Sequence, residues 1–154
     1  MAFPNPPYAG SCLCGSVKVQ VTALPLLTLA CHCRACQKFS ASAYSLTTMF
    51  PKESFTCSGE LVQGGLRSPG RNHYFCKSCM NFVYSRVGDA SPRVNVRTSI
   101  LDNASSFAPF VELMTKYKMP WVTLGLPRGF EEFPDTDAEL QSLFDGYASF
   151  LDAL

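Results

Sequence analysis

Seven of the eight cysteines in this 154-residue chain fall into three tight groups, and that grouping constrains the fold more than any other feature. The groups are Cys12-Leu13-Cys14, Cys31-His32-Cys33-Arg34-Ala35-Cys36 and Cys76-Lys77-Ser78-Cys79, with Cys57 standing apart. A disulfide inside any group needs special backbone geometry, while disulfides between groups stay open on spacing alone. Disulfide frameworks belong mostly to short secreted chains, whereas clustered thiols without a leader segment point to metal ligands. The start, MAFPNPPYAG, carries no Lys or Arg and no apolar leader. The expected ligand is therefore zinc or another thiophilic metal, in a cytoplasmic chain without a targeting segment.

Ligand counting refines this expectation. A structural zinc site closes with four protein ligands, and a catalytic one keeps three and an open position. The preferred partition joins Cys12 and Cys14 to Cys76 and Cys79 as a closed site and leaves Cys31, Cys33 and Cys36 as an open one. The competing partition makes a zinc ribbon of Cys33, Cys36, Cys76 and Cys79 and strands Cys12, Cys14 and Cys31. A Cys-x-x-Cys pair reaches one ion from a turn, and a Cys-x-Cys pair can do so from a strand, where residues i and i+2 share a face. Cys57 reads as a small half-buried residue. His32, between two ligands, is expected to point away from the metal, toward a supporting or surface role. His73 reads foremost as a turn residue, with ligand or general base as alternatives.

Size and composition set the frame. A chain of 16.9 kDa with 47% hydrophobic and 16% charged residues is expected to fold as a single domain over 1–154. Thirteen Lys and Arg against twelve Asp and Glu give +1 without a basic block, so neither nucleic acid nor a membrane surface is an expected partner. The longest apolar stretch, 23–30, is broken by Pro25 and Thr28 and is too short to span a bilayer.

The periodicity predicts strands at 17–21, 44–50, around Tyr74 and Phe75, at 82–84 and at 93–97, with Gly and Pro punctuating the middle of the chain. About one helical turn is expected after Cys36. From Thr136 onward, Leu140, Leu143, Phe144, Tyr147, Phe150, Leu151 and Leu154 recur at helical spacing behind a Thr136/Glu139 capping box. That helix docks on its own domain or on a second subunit, so a homodimer is kept open.

The cysteine groups with their neighbours, Gly10-Ser11-Cys12-Leu13-Cys14-Gly15, Cys31 to Cys36 and Phe75-Cys76-Lys77-Ser78-Cys79, followed by Leu101-Asp102-Asn103 and Pro120-Trp121, resemble the glutathione-dependent formaldehyde-activating enzyme family, which includes centromere protein V type domains. The resemblance covers about residues 10–122, with a helical extension over about 136–154. It implies a mainly β, β-tent zinc-binding fold of short antiparallel strands, to which the periodicity of the tail adds a C-terminal amphipathic helix beyond the usual family end. It also implies two zinc ions, one structural at Cys12, Cys14, Cys76 and Cys79, and one catalytic at Cys31, Cys33 and Cys36; with an open coordination position, the second is expected to be the labile one. The reaction it implies is that of a carbon–sulfur lyase joining glutathione to formaldehyde as S-hydroxymethylglutathione. The chain departs from the family pattern at Met80-Asn81 and Ala41-Ser42, where the family carries glycine, and in the Phe110-Val111 region, where it carries histidine.

Three hypotheses follow. In the first, the open three-thiolate zinc binds a substrate thiol such as glutathione and lowers its pKa; three thiolates weaken its Lewis acidity, which suits sulfur better than water. Arg34, Lys38 and Arg71 are candidates for substrate carboxylates, and Ser40, Ser42 and Tyr44 for hydrogen bonds, each against an ordinary surface or turn role. Trp121 is expected in the core. In the second, the chain is a non-catalytic zinc-stabilised protein-interaction module, its trio closed by Cys57, His73 or a partner. In the third, the trio is a redox switch.

Overall fold

The structure is a computed structural model describing residues 2–65 and 70–154. In chain order the elements are β1 (Tyr8–Ser11), β2 (Lys18–Val21), β3 (Leu27–Cys31), α1 (Arg34–Ser40), β4 (Ser45–Pro51), β5 (Phe55–Ser58), β6 (Leu61–Gly64), β7 (Arg71–Cys76), β8 (Phe82–Val87), β9 (Arg93–Arg97), β10 (Val111–Leu113), β11 (Arg128–Gly129) and α2 (Asp137–Asp152). The architecture is mainly β, in short strands, with a C-terminal amphipathic helix. The chain divides into two compact units and passes between them four times, once within β4.

The first unit is built from Leu26–Thr47 and Ala108–Leu154. Its β3 is buried at every residue, Thr28 included, which explains why the segment lacks the apolar–polar alternation of a half-exposed strand. Strand β10 lies parallel to both β3 and β11, with Val111 opposite Leu29, Glu112 opposite Ala30 and Leu113 opposite Cys31. These parallel pairs are absent from the sequence expectation, which saw only antiparallel neighbours; a partner strand some eighty residues away leaves no local trace.

Helix α2 begins with a capping box: the Thr136 hydroxyl accepts from the Glu139 N–H at 3.2 Å, and the Glu139 carboxylate accepts from the Thr136 N–H at 3.2 Å. Its inward stripe, Leu143, Tyr147 and Leu151, recurs every four residues and is buried. The Tyr147 hydroxyl meets the Thr28 hydroxyl on β3 at 2.8 Å, and the Phe110 ring packs 5.9 Å from that of Tyr147.

The second unit comprises Pro4–Pro25 and Thr48–Phe107. It holds a three-stranded antiparallel sheet in the order β1-β2-β5 and the antiparallel run β9-β8-β7-β6. Val17, Val21, Val83, Val94 and Val96 are fully buried, and the rings of Tyr8, Phe50 and Phe107 pack within 5.1–6.1 Å of one another. Gly59 is obligatory: its φ is +101°, and a Cβ there would lie 2.3 Å from the carbonyl oxygen of Ser16. That close approach braces the loop after Cys14.

Candidate metal centres

The structure brings the sulfurs of Cys12, Cys14, Cys76 and Cys79 within 4.8 Å of one another in the second unit. Cys12 and Cys14 follow the end of β1, in the turn before β2; Cys76 ends β7 and Cys79 lies in the turn before β8. Neither Cys-x-Cys pair lies within a strand, although the spacing allows it. Both sit where a strand ends, because a bending backbone turns both sulfurs to one point without committing the intervening residue to a sheet.

Local backbone donors hold this group. The Val17 N–H donates to Cys12 Sγ at 3.3 Å, the Cys79 N–H to Cys76 Sγ at 3.5 Å, and the Leu13 N–H to the Asn81 side-chain oxygen at 3.0 Å, which ties the two turns together. The Ser16 hydroxyl lies 3.0 Å from Cys14 Sγ and 3.3 Å from Cys76 Sγ. Burial opposes ionisation of Cys12, but the Val17 N–H and the Cys14, Cys76 and Cys79 thiols outweigh it and bring the group down to about 6. Cys76 is also lowered, chiefly by the Cys79 N–H and then by the Ser16 hydroxyl.

A second group, Cys31, Cys33 and Cys36, converges within the same limit in the first unit. Cys31 closes β3, Cys33 caps α1, and Cys36 lies in the first turn of that helix. Cys33 Sγ accepts from the Cys36 N–H at 3.3 Å, so a ligand side chain doubles as the N-cap. Helix α1 runs seven residues, longer than the single turn expected, and ends at Ala41 in the left-handed region, φ 47°. Cys31 and Cys36 hydrogen-bond to Cys33 and hold it far down, to about 2. Cys31 moves up through its thiol contacts with Cys33 and Cys36, reinforced by burial. The Cys31 thiol favours ionisation of Cys36, but Cys33 and burial outweigh it and push Cys36 up as well.

The donor sets fit a soft divalent cation. All eight cysteines are free thiols, and the Cys12–Cys14 and Cys14–Cys76 sulfur separations are 3.6 and 3.8 Å, far from a covalent bond of about 2.05 Å. Packed this closely, one thiol ionises at the expense of its neighbours, as the opposed shifts of Cys31 and Cys33 show. A bound cation removes that conflict and deprotonates the whole set. Thiolate donors in groups of four and three suit zinc.

The remaining candidates sort as follows. His32 is fully buried rather than at the surface, with Nε2 3.0 Å from Glu112 Oε2. His73 lies inside β7, 5% exposed, not in a turn; burial first, then Arg71 and Arg97, lower its pKa. Cys57 is half-buried on β5, opposite Val19. Arg34 donates to the Gln37 side-chain oxygen, and Lys38 is exposed in the last turn of α1. The Ser40 hydroxyl lies on the carbonyls of Cys36 and Tyr44, at 2.7 and 3.0 Å, Ser42 is exposed, and the Tyr44 ring is 5.6 Å from His32. Arg71 is exposed on β7 in the second unit. Trp121 is 72% exposed and not in the core, since the turn after Lys118 carries it away from the strands. Ser16, Gln37, Glu112 and Lys118 escaped the sequence reading; Glu112 alone carried a signal, as a carboxylate inside an otherwise apolar Phe110 to Leu113 run.

Residues 7–117 match the family described as glutathione-dependent formaldehyde-activating enzyme. The chain belongs to that family. The matched span holds all seven grouped cysteines and Glu112, and it links the chain to glutathione- and formaldehyde-related chemistry. Among curated proteins none matches. A crystal structure of a Rhodobacter sphaeroides protein is similar at 19% identity and a TM-score of 0.50, covering 61% of this chain and 87% of that one, a likeness of fold. Among the described residues, no helix is long and apolar enough to cross a membrane.

Proposed function

We propose that this member of the formaldehyde-activating family is a carbon–sulfur lyase-type enzyme that joins a thiol, such as glutathione, to a small carbonyl electrophile such as formaldehyde, and reverses that step. The observation that carries the reading is the inequality of the two thiol groups: four cysteines converge in one, and three in the other, with no fourth His, Cys, Asp or Glu ligand among the described residues. Cys12, Cys14, Cys76 and Cys79 would hold the structural zinc, and Cys31, Cys33 and Cys36 the catalytic one. Zinc bound by the trio supplies Lewis acidity and a template that lowers the pKa of an incoming thiol.

The chain's own residues make the site selective for sulfur. Three thiolates exceed the charge of a divalent ion, which disfavours activating water and leaves a soft centre for a soft donor. Cys31 is buried at the base while Cys33 and Cys36 are half-buried, so the approach is from the α1 side. Lys38, exposed one turn beyond Arg34 on that helix and without an ion-pair partner among the described residues, is suited to a substrate carboxylate; Arg34 is already engaged by Gln37. In the reaction the thiol sulfur supplies an electron pair to the carbonyl carbon, the C=O pair moves to oxygen, and oxygen takes the proton the thiol gave up. No oxidant or reductant is required.

Native mass spectra with and without glutathione test the reading. Two zinc ions per chain and a glutathione adduct that disappears in Cys36→Ser are expected, together with faster exchange between ¹³C-formaldehyde and its glutathione adduct by NMR. Two zinc ions with no adduct and no acceleration would refute it and leave a zinc-stabilised interaction module.

A further inference from the structure

We infer that His32, Glu112, Lys118 and Gln37 form a closed ring that positions the Cys31–Cys33–Cys36 thiols and thereby sets how tightly they hold their metal. The inference rests on the proposal that this trio is a metal centre, and it concerns residues that touch neither metal nor substrate.

The ring can be traced bond by bond within the first unit. The His32 side chain meets Glu112 Oε2 through Nε2 at 3.0 Å, and Lys118 Nζ lies 2.5 Å from the same oxygen. The peptide carbonyl before Lys118, that of Tyr117, accepts from Gln37 Nε2 at 3.0 Å. Gln37 Nε2 also donates to the carbonyl of His32 at 2.8 Å, which closes the ring. The backbone adds a fifth tie, the His32 N–H to the Leu113 carbonyl at 2.9 Å. The ring therefore clamps the peptide between Cys31 and Cys33 from its side chain, its carbonyl and its N–H, and the Gln37 link locks the helix that carries Cys36 to that same peptide.

Two features mark this as more than ordinary core packing. Glu112 is 7% exposed, and a buried carboxylate costs several kcal/mol unless its partners are well placed, so an apolar side chain there would serve stability as well or better. What the carboxylate adds is direction. The His32 ring is fully buried, and its Nδ1 has no hydrogen-bond partner among the described residues, so Glu112 is its one hydrogen-bonded anchor. A residue flanked by two ligands cannot turn without moving both sulfurs. The four-thiol group relies on backbone donors, the nearby Ser16 hydroxyl and the Leu13–Asn81 link instead.

The test uses the full chain loaded with ¹¹³Cd, which gives a separate resonance for a four-thiolate and a three-thiolate centre, together with competition for zinc by a chromophoric chelator. Glu112→Ala should shift or broaden the trio's resonance alone and weaken metal binding there by about 10- to 100-fold, the range typical of residues that orient ligands. Glu112→Gln, whose amide oxygen still accepts from His32, should restore much of the loss. Gln37→Met breaks the ring from the helix side with Glu112 and Lys118 intact, and it decides the matter alone if Glu112→Ala fails to fold. An unchanged trio resonance and affinity in the folded variants, or equal weakening of both centres, would overturn the inference. Should the variants behave as expected while no thiol binds the trio, the proposed enzyme reading fails and the positioning ring stands.

Discussion

The four-thiol and three-thiol groups are both assembled from short cysteine spacings, yet the protein holds them by different means. In the four-thiol group two turns face each other; their sulfurs are held by N–H donors from residues within a few positions and by the Ser16 hydroxyl, and the Leu13–Asn81 bond ties the turns together. In the three-thiol group the sulfurs lie on one bend between β3 and α1, and that bend is tied to β10 and the Tyr117–Lys118 segment, some eighty residues away. A complete ligand set defines its own geometry once metal binds. An incomplete one has to borrow geometry from the surrounding fold, and the ring around His32 supplies it.

The sharpest way to break the comparison is to remove one ligand from each side. Cys76→Ser should abolish the cooperative thermal transition of its unit, because structural zinc contributes on the order of 10 kcal/mol, comparable to the whole stability of a domain. Cys36→Ser should keep a cooperative melt by circular dichroism and lose only metal at the trio. The reverse pattern would exchange the two roles. A chelator titration followed by native mass spectrometry should empty the trio first, giving a one-metal species that retains its fold; simultaneous loss from both groups would show that they are equally held.

Smaller perturbations separate the local environments. Gly59→Ala forces a methyl against the Ser16 carbonyl at a positive φ and should cost about 3 kcal/mol in denaturant unfolding. It should loosen metal at the four-thiol group and leave the trio's affinity untouched. Thr136→Ala removes the α2 capping box and should cost about 1 kcal/mol, with both metal affinities unchanged, which would separate the trio's local geometry from the general stability of its unit. Smallest of all, Ala41→Gly and Met80→Gly each relieve a left-handed backbone, φ 47° and 58°, and should raise the melting temperature by a few degrees, equivalent to at most about 1 kcal/mol each. No gain at either position would mean that the alanine and methionine side chains make compensating contacts.

Those two residues also show what the sequence could and could not reveal. Ala41 and Met80 stand where the family pattern carries glycine, and both adopt the backbone that favours glycine, so the departure was visible while its strain was not. The cysteine grouping, the capping box and the alternating strands β2 and β9 were legible because each is written within a few neighbouring residues. The parallel pairing of β10 and the burial of Glu112 were not, since each is decided by a segment distant in sequence, and the exposure of Trp121 was not, because an aromatic side chain in a turn reads like one in the core. His73 misled because its context looked like a turn, while pairing with Gly64 and Ser85 on the neighbouring hairpin strands made it a strand.

The parallel pairing of β3 with β10 also has a consequence in time. A ribosome adds about 5–20 residues per second, so the Cys31, Cys33 and Cys36 thiols emerge roughly 4–16 seconds before the strand that holds their bend. Cys12 and Cys14 likewise wait for partners 62 residues later. During that interval the nascent chain presents unrestrained thiols: the trio has all its ligands at Cys36 but not the strand that holds its bend, whereas the four-thiol group, complete at Cys79, emerges with its holding residues Val17 and Asn81 before β10. The order of synthesis thus favours forming the four-thiol group while the bend that carries the trio is still unheld.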